Sequence, residues 1–484
     1  MNYRMIIKLL GRIAGIEAVL MVIPMLVSLA YGESIKGFAV GIAVAVAVCA
    51  VFTLATRHSD RKIFSKEGLT SVALCWVLIS LIGAIPFTVD GAIPNYIDAV
   101  FETVSGFTTT GSSILTDVEA LGKGMLFWRS FTHWIGGMGI LVFMMAVVPM
   151  SKEYSMHIMR AEVPGPEAGK LTPKIQRSSL ILYLIYVFLT FAETVALLLC
   201  KMPLYDAVVH AFGTAGTGGF GIKNASIGAY GSPAIEMVIA VFMVAFGVNF
   251  NVYFLLLVGK LRTALFNEEL RWYLGIVAFA TVTIAYNLRS VYNSVSECFR
   301  YSFFQVASII STTGFSTADF DKWPEYSKIV LVLIMFIGAC AGSTAGGLKV
   351  SRVMILLKSS IVEIRHMLHP RSYNIIRVNG KNVSRETLHN VLVFFSLYIM
   401  ILSASCVAVG ALDGFDLVTT FTSVGTCISN VGPGLSLVGP TGNFSMFSPL
   451  SKILLSVCML MGRLEIFPMI ILFYPSTWKK SGQF

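Results

Sequence analysis

Long apolar runs dominate this chain and restrict it to folds that form inside a membrane. A helix needs about 20 apolar residues to cross the hydrocarbon core of a bilayer, and runs of that length recur along the whole sequence. Hydrophobic residues make up 56% of the 484 residues and charged residues only 13%, which excludes a large soluble enzyme with a polar surface. We therefore expect an all-α, polytopic membrane protein.

The hydrophobic pattern predicts ten membrane-spanning helices. They cover residues 10–30, 37–56, 69–89, 124–150, 178–201, 233–259, 272–288, 327–357, 388–410 and 449–473. If both termini are cytoplasmic, most Lys and Arg residues fall in the inner segments, as the positive-inside rule requires. The net charge of +10 therefore indicates membrane orientation and not nucleic-acid binding.

Four further segments are too short and too rich in Gly, Ser and Thr to cross the membrane. They cover residues 96–116, 203–221, 298–316 and 415–434. From residue 69 onward the chain reads as four copies of a span, a half-helix, a polar loop with a glycine, and a second span. The predicted fold is thus four such M1-P-M2 repeats in pseudo-fourfold arrangement around one pore, plus two N-terminal transmembrane helices.

This organisation divides the chain into six parts. They are two N-terminal helices (1–66), pore repeats 1 to 4 (67–152, 153–262, 263–357 and 388–484) and a cytoplasmic connector (358–387). Within the connector, residues 375–381 read as a hairpin around an Asn-Gly turn.

The first two repeats align residue by residue. Asp98 precedes Gly111 by the same spacing that separates Asp206 from Gly219. The third copy reads Ser-Thr-Thr-Gly over 311–314 and the fourth reads Ser-Asn-Val-Gly over 429–432. These two copies have no aspartate at the same spacing, which leaves the register of their half-helices open.

Irregular backbone at membrane depth indicates a central aqueous pathway, because lipid cannot satisfy free N–H and C=O groups. A half-helix that enters from outside points the negative end of its dipole at the centre and favours a cation there. Loop carbonyls can then replace the hydration shell of the ion, and no ring of acidic residues accompanies them, so we predict a monovalent cation, with K+ as the leading candidate. The predicted ion-binding residues are Thr109, Thr110, Gly111, Thr217, Gly218, Gly219, Thr312, Thr313, Gly314, Asn430, Val431 and Gly432.

Small residues interrupt the predicted span 327–357. Each glycine in a helix interior costs up to about 1 kcal/mol relative to alanine. Two interpretations stay open: close helix packing through small residues, or a segment that unwinds beneath the loops, which we favour. The residues predicted to form this gate are Gly338, Gly342, Ser343, Thr344, Ala345, Gly346, Gly347, Lys349 and Arg463.

Three ionisable residues near the predicted pathway have alternative roles. Arg463 lies deep in an apolar span, where insertion costs about 2.5 to 3.5 kcal/mol unless the charge is satisfied. It either pairs with Glu465 or with loop carbonyls, or forms a positive barrier in the pore. Lys349 either has a role in the pore related to that of Arg463, or extends its side chain so that the ammonium group reaches the membrane surface. Glu102 and His210, at equivalent places in two half-helices, either tune the ion site or hydrogen-bond their loops, and we favour the latter.

These motifs resemble the Trk/Ktr/HKT superfamily of potassium transporters, and within it the bacterial Trk-type membrane subunit with two additional N-terminal helices. The resemblance covers essentially the whole chain and rests on the four loops and on residues 342–349 and 462–468. In that superfamily a glycine in each filter accompanies potassium selectivity. The resemblance also implies an intramembrane loop that blocks the pore below the filter, and a basic residue near the permeation path.

The resemblance further implies potassium uptake across a bacterial cytoplasmic membrane, with a multi-pass topology and both termini cytoplasmic. A membrane potential alone can drive such uptake, since it contributes about 2.3 kcal/mol per charge per 100 mV. Trk-type subunits assemble as dimers on a cytosolic RCK-type ring, so the resemblance implies a homodimer with nucleotide on the partner and no covalent cofactor on this chain. Docking to that ring, or attraction to anionic membrane lipid, would explain the basic stretch 358–388.

Two other functions stay as alternatives to a channel-like pore. A secondary transporter would couple potassium entry to sodium or protons through broken helices. An intramembrane enzyme is disfavoured, because the spans contain no Ser-His, paired Asp or H-E-x-x-H arrangement.

Overall fold

The computed structural model describes residues 1–56, 65–139, 175–371 and 375–478, which form helices and one short hairpin. The helices are α1 Tyr3–Ala30, α2 Lys36–Ala55, α3 Ser65–Val89, α4 Tyr96–Phe107, α5 Lys123–Gly137, α6 Ile175–Leu199, α7 Leu204–Gly216, α8 Pro233–Phe246, α9 Phe250–Leu257, α10 Leu261–Leu265, α11 Glu268–Asn287, α12 Val295–Ile310, α13 Glu325–Ile337, α14 Val350–Leu368, α15 Arg385–Asp413, α16 Leu417–Ser429, α17 Pro449–Arg463, α18 Phe467–Phe473 and α19 Pro475–Trp478. The hairpin pairs β1 (Arg377–Val378) with β2 (Lys381–Asn382) in antiparallel register.

The hairpin turn has the geometry that its sequence predicts. Asn379 and Gly380 both have positive φ, at 50° and 77°. A two-residue turn with positive φ at both positions matches the right-handed twist of the flanking strands, which is why Asn-Gly favours it. The predicted hairpin is therefore confirmed.

Five helices of the described chain are long and apolar enough to cross a membrane: α1, α2, α3, α6 and α15. The bent pair α8 and α9 makes a sixth if it is counted as one span. Only 17% of the most apolar part of α2 is buried, so its hydrophobic side chains face outward. An exterior of this kind is stable in lipid and not in water.

Each of the four predicted half-helices is present. They are α4, α7, α12 and α16, and each packs against the first long helix of its own repeat, namely α3, α6, α11 and α15. The second helix of each repeat packs against the half-helix of the next repeat: α5 on α7, α8 on α12 and α13 on α16. The fourth, α17, packs on α4 and closes the ring. The four repeats thus follow one another in a circle, with α1 and α2 packed outside it against α3 and α5.

The predicted spans 233–259 and 449–473 are not continuous helices, and here the sequence prediction was wrong. Helix α8 ends at Phe246, and α9 leaves at 90° after the Asn249 side chain accepts a hydrogen bond from Asn251 N–H at 2.9 Å. Helix α17 ends at Arg463, and Ile466 has φ of 67°, which an α-helix cannot contain. Hydrophobicity did not reveal these breaks, because the residues on both sides are equally apolar.

The other two second helices also end early. Helix α13 ends at Ile337 and helix resumes only at Val350, so the predicted span 327–357 unwinds between them. Helix α5 ends at Gly137, and most of the remainder of the predicted span 124–150 lies outside the described residues. All four second helices are therefore interrupted after 13 to 15 residues.

Candidate functional site

The four glycine-bearing loops share one backbone conformation. We call them loop 1 (residues 109–111), loop 2 (217–219), loop 3 (312–314) and loop 4 (430–432). In each loop the first and third residues have positive φ: Thr109 and Gly111 (54° and 84°), Thr217 and Gly219 (55° and 74°), Thr312 and Gly314 (57° and 85°), Asn430 and Gly432 (54° and 97°). Alternation of the sign of φ directs successive N–H groups to one side of the chain, and the carbonyl groups therefore point to the other.

The N–H groups of the loops turn back into the half-helices that precede them. The middle residue of each loop donates to a carbonyl of its own half-helix at 2.9 to 3.0 Å: Thr110 to Ser105, Gly218 to Gly213, Thr313 to Ser308 and Val431 to Thr426. These bonds satisfy carbonyls that a helix end leaves free. In the described chain, no hydrogen bond reaches the carbonyl oxygens of the four middle residues. These oxygens are available to an ion.

The loops meet in a closed ring. A methyl group built on Gly111 would strike the Gly218 carbonyl oxygen of loop 2. The same relation holds from Gly219 to Thr313, from Gly314 to Val431 and, at 2.7 Å, from Gly432 to Thr110. Each glycine therefore faces the middle carbonyl of the next loop, and loop 4 returns to loop 1. Glycine is required here because a side chain would displace the oxygen of its neighbour.

A polar cavity of about 160 Å³ opens on one side of the ring, and all four loop glycines line it. Asn224 lies at its edge and donates to the Asp117 carboxylate from its side chain, at 2.8 Å, and to Glu119 from its backbone N–H, at 3.2 Å. These hydrogen bonds lower the pKa of both carboxyls below their ordinary values. Asp117 therefore stays ionised beside the cavity, whereas the charge of Glu119 is balanced by Lys223, which lines the cavity.

His133 joins two repeats behind the ring, a role that the sequence analysis did not predict. Its Nδ1 lies 2.7 Å from the Gly106 carbonyl of α4, and its Nε2 accepts from Phe220 N–H at 3.2 Å, directly after loop 2. A methyl group on Gly218 would strike the buried imidazole ring. His133 thus holds loop 2 at a fixed distance from the half-helix of repeat 1.

Glu102 hydrogen-bonds the chain after loop 1, which is one of its two expected roles. It accepts from Ile114 N–H at 2.9 Å and from the Ser113 hydroxyl at 3.0 Å, and it pairs with Arg129 at 2.5 Å. His210 does not bond loop 2 in the described structure, since its Nε2 lies 3.1 Å from the Tyr230 hydroxyl. The two half-helices therefore use equivalent positions differently.

The unwound segment 338–349, which we call the inner loop, lies directly against loops 3 and 4. Gly346 N–H donates to Thr312 Oγ1 at 2.7 Å, and a methyl group on Gly346 would strike the Ser429 carbonyl. The two ends of the inner loop meet, because Lys349 N–H donates to the Ile337 carbonyl at 2.9 Å. The segment therefore begins and ends at the same place and forms a loop beneath the ring, on the side of the half-helix C-termini.

The inner loop is also bonded to the break between α8 and α9. Cys340 N–H donates to the Gly247 carbonyl at 3.1 Å, and Phe250 N–H donates to the Gly342 carbonyl at 3.0 Å. Ala341 N–H donates to the buried Glu269 carboxylate at 2.6 Å. The break that hydrophobicity failed to predict thus exposes the backbone groups that hold the inner loop.

Arg463 connects the inner loop to repeat 1. Its guanidinium donates to the Thr344 carbonyl at 2.6 Å and to the Gly136 and Gly137 carbonyls at the end of α5, also at 2.6 Å. Of the roles expected for Arg463, the structure shows the contact with loop carbonyls. Glu465, the other expected partner, accepts a hydrogen bond from Arg352 at 2.5 Å.

Lys349, whose role was left open, does not snorkel to the surface. It is 2% exposed, and its ammonium group donates to the Ala345 carbonyl within the inner loop. The buried Lys349 and the partly buried Arg463 therefore both lie at the inner loop, where backbone oxygens accept hydrogen bonds from each.

Comparison with known proteins identifies the family. The model of the TrkH family, described as cation transport protein, matches residues 34–480. The chain belongs to the TrkH family. A Salmonella typhimurium relative named Trk system potassium uptake protein TrkH is 35% identical, with 99% of this chain and 100% of the relative covered. The Escherichia coli K12 protein named Trk system potassium uptake protein TrkG is 32% identical, with 99% of each chain covered.

A solved structure agrees with this assignment to the TrkH family. The crystal structure of the potassium transporter TrkH from Vibrio parahaemolyticus matches with a TM-score of 0.89 at 32% identity, covering 99% of this chain and 100% of that one. The predicted family and the all-α membrane fold are confirmed, and the relatives are named as transporters and not as enzymes. The predicted repeat bounds and the roles of the ion-binding and gate residues stay predictions.

Proposed function

We propose that this TrkH-family chain takes up potassium across a bacterial cytoplasmic membrane through a gated, channel-like pore. One observation carries the proposal: four equivalent carbonyl oxygens, of Thr110, Gly218, Thr313 and Val431, lie in a closed ring with each against the glycine of the preceding loop. The names of the relatives, which are potassium uptake proteins, support the same ion.

The ring suits a monovalent cation of low hydration energy. Backbone carbonyl dipoles replace the water of such an ion without adding a full negative charge. The C-termini of α4, α7, α12 and α16 end at the loops, and each brings the negative end of a helix dipole toward the ring. K+ gains from this arrangement, whereas a divalent ion requires carboxylate ligands that the ring residues do not supply.

The inner loop is the proposed gate. It lies beneath the ring and is tied to repeat 3 through Thr312 and Glu269. It is also tied to repeat 2 through the backbone of Gly247 and Phe250, and to repeat 4 through Arg463. An ion that leaves the ring toward the half-helix C-termini meets this loop. Opening requires the Arg463 bond to Thr344 to break while the carbonyl ring stays intact. The buried Lys349 and the partly buried Arg463 raise the electrostatic barrier for a permeating cation in the closed state.

The remaining parts of the proposal concern energy and assembly. The membrane potential drives uptake, both termini are cytoplasmic, and the chain works as a homodimer on a cytosolic RCK-type ring that binds the regulatory nucleotide. The connector with its hairpin lies opposite the outer cavity and would face that ring. Coupling of potassium entry to sodium or protons is the competing function.

Concentrative rubidium uptake into proteoliposomes tests this function. Vesicles loaded with potassium chloride and diluted into a potassium-poor medium develop an inside-negative potential only if the protein conducts K+, and this potential then accumulates radioactive rubidium. We expect accumulation without sodium and with the same strongly buffered pH on both sides of the membrane. Uptake that requires a sodium or proton gradient would establish the competing secondary transporter, and no uptake beyond that of empty vesicles would refute a potassium pathway.

A further inference from the structure

Two adjoining cavities on the inner side of repeat 3 form an amphiphilic site that the transport path does not use. The first is an apolar groove of about 730 Å³ between α11 and α13. The second is a polar cleft of about 660 Å³ between α10, the start of α11 and the hairpin. Glu268 and Arg271 line both cavities, so the two are continuous.

The cleft carries an unbalanced positive charge. Arg262, Arg271 and Lys381 line it with exposed side chains, and none of them forms an ion pair with a carboxylate in the described chain. The carboxylate that the cleft contains belongs to Glu268, which is already paired with Lys358. The cleft is therefore short of negative charge by about three units, which favours an anionic ligand.

The shape of the cleft is fixed by the hairpin. The Asn379 side-chain oxygen accepts a hydrogen bond from Glu268 N–H at 2.7 Å, and the Asn379 N–H donates to the Glu268 carboxylate at 3.1 Å. Lys358 also donates to the Arg377 carbonyl at 2.7 Å. These bonds hold the hairpin, and with it Lys381, against the start of α11. The cations are thus placed by the fold and are not a loose surface cluster.

The groove continues from the cleft along the lipid-facing side of α11 and α13. Phe279 is 67% exposed and Leu333 is 58% exposed, so the groove opens outward. Trp272 lines the groove one residue beyond Arg271, at the boundary between polar and apolar surface. Tryptophan is enriched at that depth of a bilayer, where its ring spans the headgroup boundary. An occupant of the whole site has an anionic head and an apolar tail.

We propose that this site binds an anionic phospholipid of the inner leaflet, with its phosphate in the cleft at Arg262, Arg271 and Lys381 and an acyl chain in the α11–α13 groove. Basic pockets beside transmembrane helices on the cytoplasmic side are suited to such headgroups. A second copy of the chain fits less well, because a two-fold contact places the same surface on both partners and brings like charges together.

The location of the site connects it with the inner loop. Glu269, the residue after Glu268, accepts the hydrogen bond from Ala341 N–H in the inner loop. Lys358, the partner of Glu268, lies on α14, which begins where the inner loop ends. The proposed phosphate site therefore lies beside one attachment of the inner loop and beside the pair that joins α14 to α11. The binding site itself does not depend on the proposed function and is tested by a binding measurement.

Native mass spectrometry of the detergent-purified chain tests the headgroup half of the site. Phosphatidylglycerol and phosphatidylcholine with identical acyl chains are added separately. We expect several-fold greater retention of phosphatidylglycerol, and a fall to the phosphatidylcholine level in a variant with Arg262→Ala, Arg271→Ala and Lys381→Ala. A control with Arg4→Ala, Arg12→Ala and Arg365→Ala removes three exposed cations elsewhere and should retain the preference. Equal loss of phosphatidylglycerol retention in the site variant and in the control would show that overall positive charge retains the lipid. That result would refute a defined site.

Gly275→Phe tests the groove half. A Cβ at Gly275 meets nothing within 4 Å, and Gly275 lines the groove, so a phenylalanine there starts in open space and occupies the groove. We expect at least a several-fold loss of retained phosphatidylglycerol. Unchanged retention of phosphatidylglycerol in Gly275→Phe, together with its full displacement by inorganic phosphate, would show that the cleft binds a free anion. That result would refute the lipid proposal. Dissociation of a dimer by Gly275→Phe with no change in lipid would show that a second copy occupies the groove, and would also overturn the proposal.

Discussion

The carbonyl ring and the inner loop both contain irregular backbone at membrane depth, but they are held in different ways. Loops 1 to 4 repeat one conformation, and each is fixed by backbone bonds to the half-helix that precedes it. The two ends of the inner loop bond each other through the backbone, but the loop is also held from other repeats. The backbone of Gly247 and Phe250 in repeat 2 and the side chain of Arg463 in repeat 4 make these bonds.

Because of this difference, we expect the carbonyl ring to be permanent and the inner loop to be releasable. A contact made by neighbouring backbone groups persists as long as the half-helix does. A contact made by one side chain from another repeat is lost when that repeat shifts by an ångström or two. In the proposed function, the chain therefore combines an ion site that is set locally with a closure that depends on the relative positions of the repeats.

The largest expected effect is on the ring itself. Gly219→Ala places a methyl group against the Thr313 carbonyl at a residue whose φ is 74°. Left-handed backbone costs a non-glycine residue about 1 to 2 kcal/mol before any clash, and about 1.4 kcal/mol is tenfold in binding. We expect rubidium uptake to fall about tenfold or more.

Gly91→Ala is the matched control for the ring variant. Gly91 also has positive φ, at 77°, but a methyl group there meets nothing within 4 Å. It therefore carries the same backbone strain without touching the ring. If Gly91→Ala and Gly219→Ala reduce uptake equally, general strain explains the loss and the ring does not.

The next effect is on the closure. Arg463→Gln removes the cation and most of its bonds to Thr344, Gly136 and Gly137. Hydrogen bonds to charged groups contribute about 1.5 to 3 kcal/mol each, so the closed state loses enough stability to raise basal rubidium uptake about tenfold. Uptake is measured without any cytosolic partner. Arg365→Gln, at an exposed cation of α14, should leave it unchanged.

A fall in basal uptake would contradict the assigned role of Arg463. This interpretation requires the variant to be folded, which is checked by its elution from size exclusion at the same volume as the parent protein. A folded Arg463→Gln protein with reduced uptake would mean that the guanidinium assists permeation instead of holding the inner loop.

A smaller effect is expected at His133, the long-range contact that holds loop 2. His133→Phe keeps a ring against Gly218 but removes both hydrogen bonds of the imidazole. The Phe220 N–H is then left unpaired, while the Gly106 carbonyl keeps only its bond from Thr109 N–H. Unpaired buried groups cost about 1 to 3 kcal/mol each. We expect a lower melting temperature and a several-fold lower ratio of rubidium to sodium uptake. His133→Gln retains an acceptor and should recover part of both, whereas equal selectivity in all three proteins would make this contact purely structural.

The smallest effect is expected at the edge of the outer cavity and depends on pH. The Asn224 side chain lowers the pKa of Asp117, so its contribution to stability is complete above the ordinary carboxyl pKa and disappears as pH falls through the lowered value. Asn224→Ala should therefore reduce the melting temperature slightly near pH 7, and the difference from the parent should shrink in acid.

Asn443→Ala provides the control for the pH series. Asn443 lines the same cavity and accepts a hydrogen bond from Ser445 N–H, with no carboxylate involved. Its effect on the melting temperature should not change with pH. A difference for Asn224→Ala that stays constant from neutral to acid pH would show that the Asp117 charge is not what the amide stabilises.

The sequence predicted the features that depend on local chemistry. Glycines at the ends of four half-helices and a cluster of small residues at 338–347 mark positions where backbone must turn or pack closely, and both regions appear in the structure as irregular backbone. The register of the third and fourth half-helices, which the aspartates left open, follows from the pairs of positive φ at Thr312 and Gly314 and at Asn430 and Gly432.

The features that the sequence did not predict depend on partners far away in the chain. His133 and Glu269 are single polar residues in apolar surroundings, and nothing beside them in the sequence indicates Phe220 or Ala341 as a partner. The breaks at Gly247 and Ile466 each lie between two apolar helices, so the hydrophobic pattern reads as one span even though Arg463 and Glu465 stand at the second break. Positive φ at Ile466 is imposed by tertiary packing, because isoleucine does not favour it.

The most direct test of the ion site is anomalous diffraction from crystals soaked in rubidium chloride. The ring predicts a rubidium peak enclosed by the carbonyl oxygens of Thr110, Gly218, Thr313 and Val431, and weaker or absent occupancy there in Gly219→Ala crystals. Rubidium peaks confined to other parts of the molecule, at a concentration that supports uptake, would contradict the assignment of these four oxygens as the ion site.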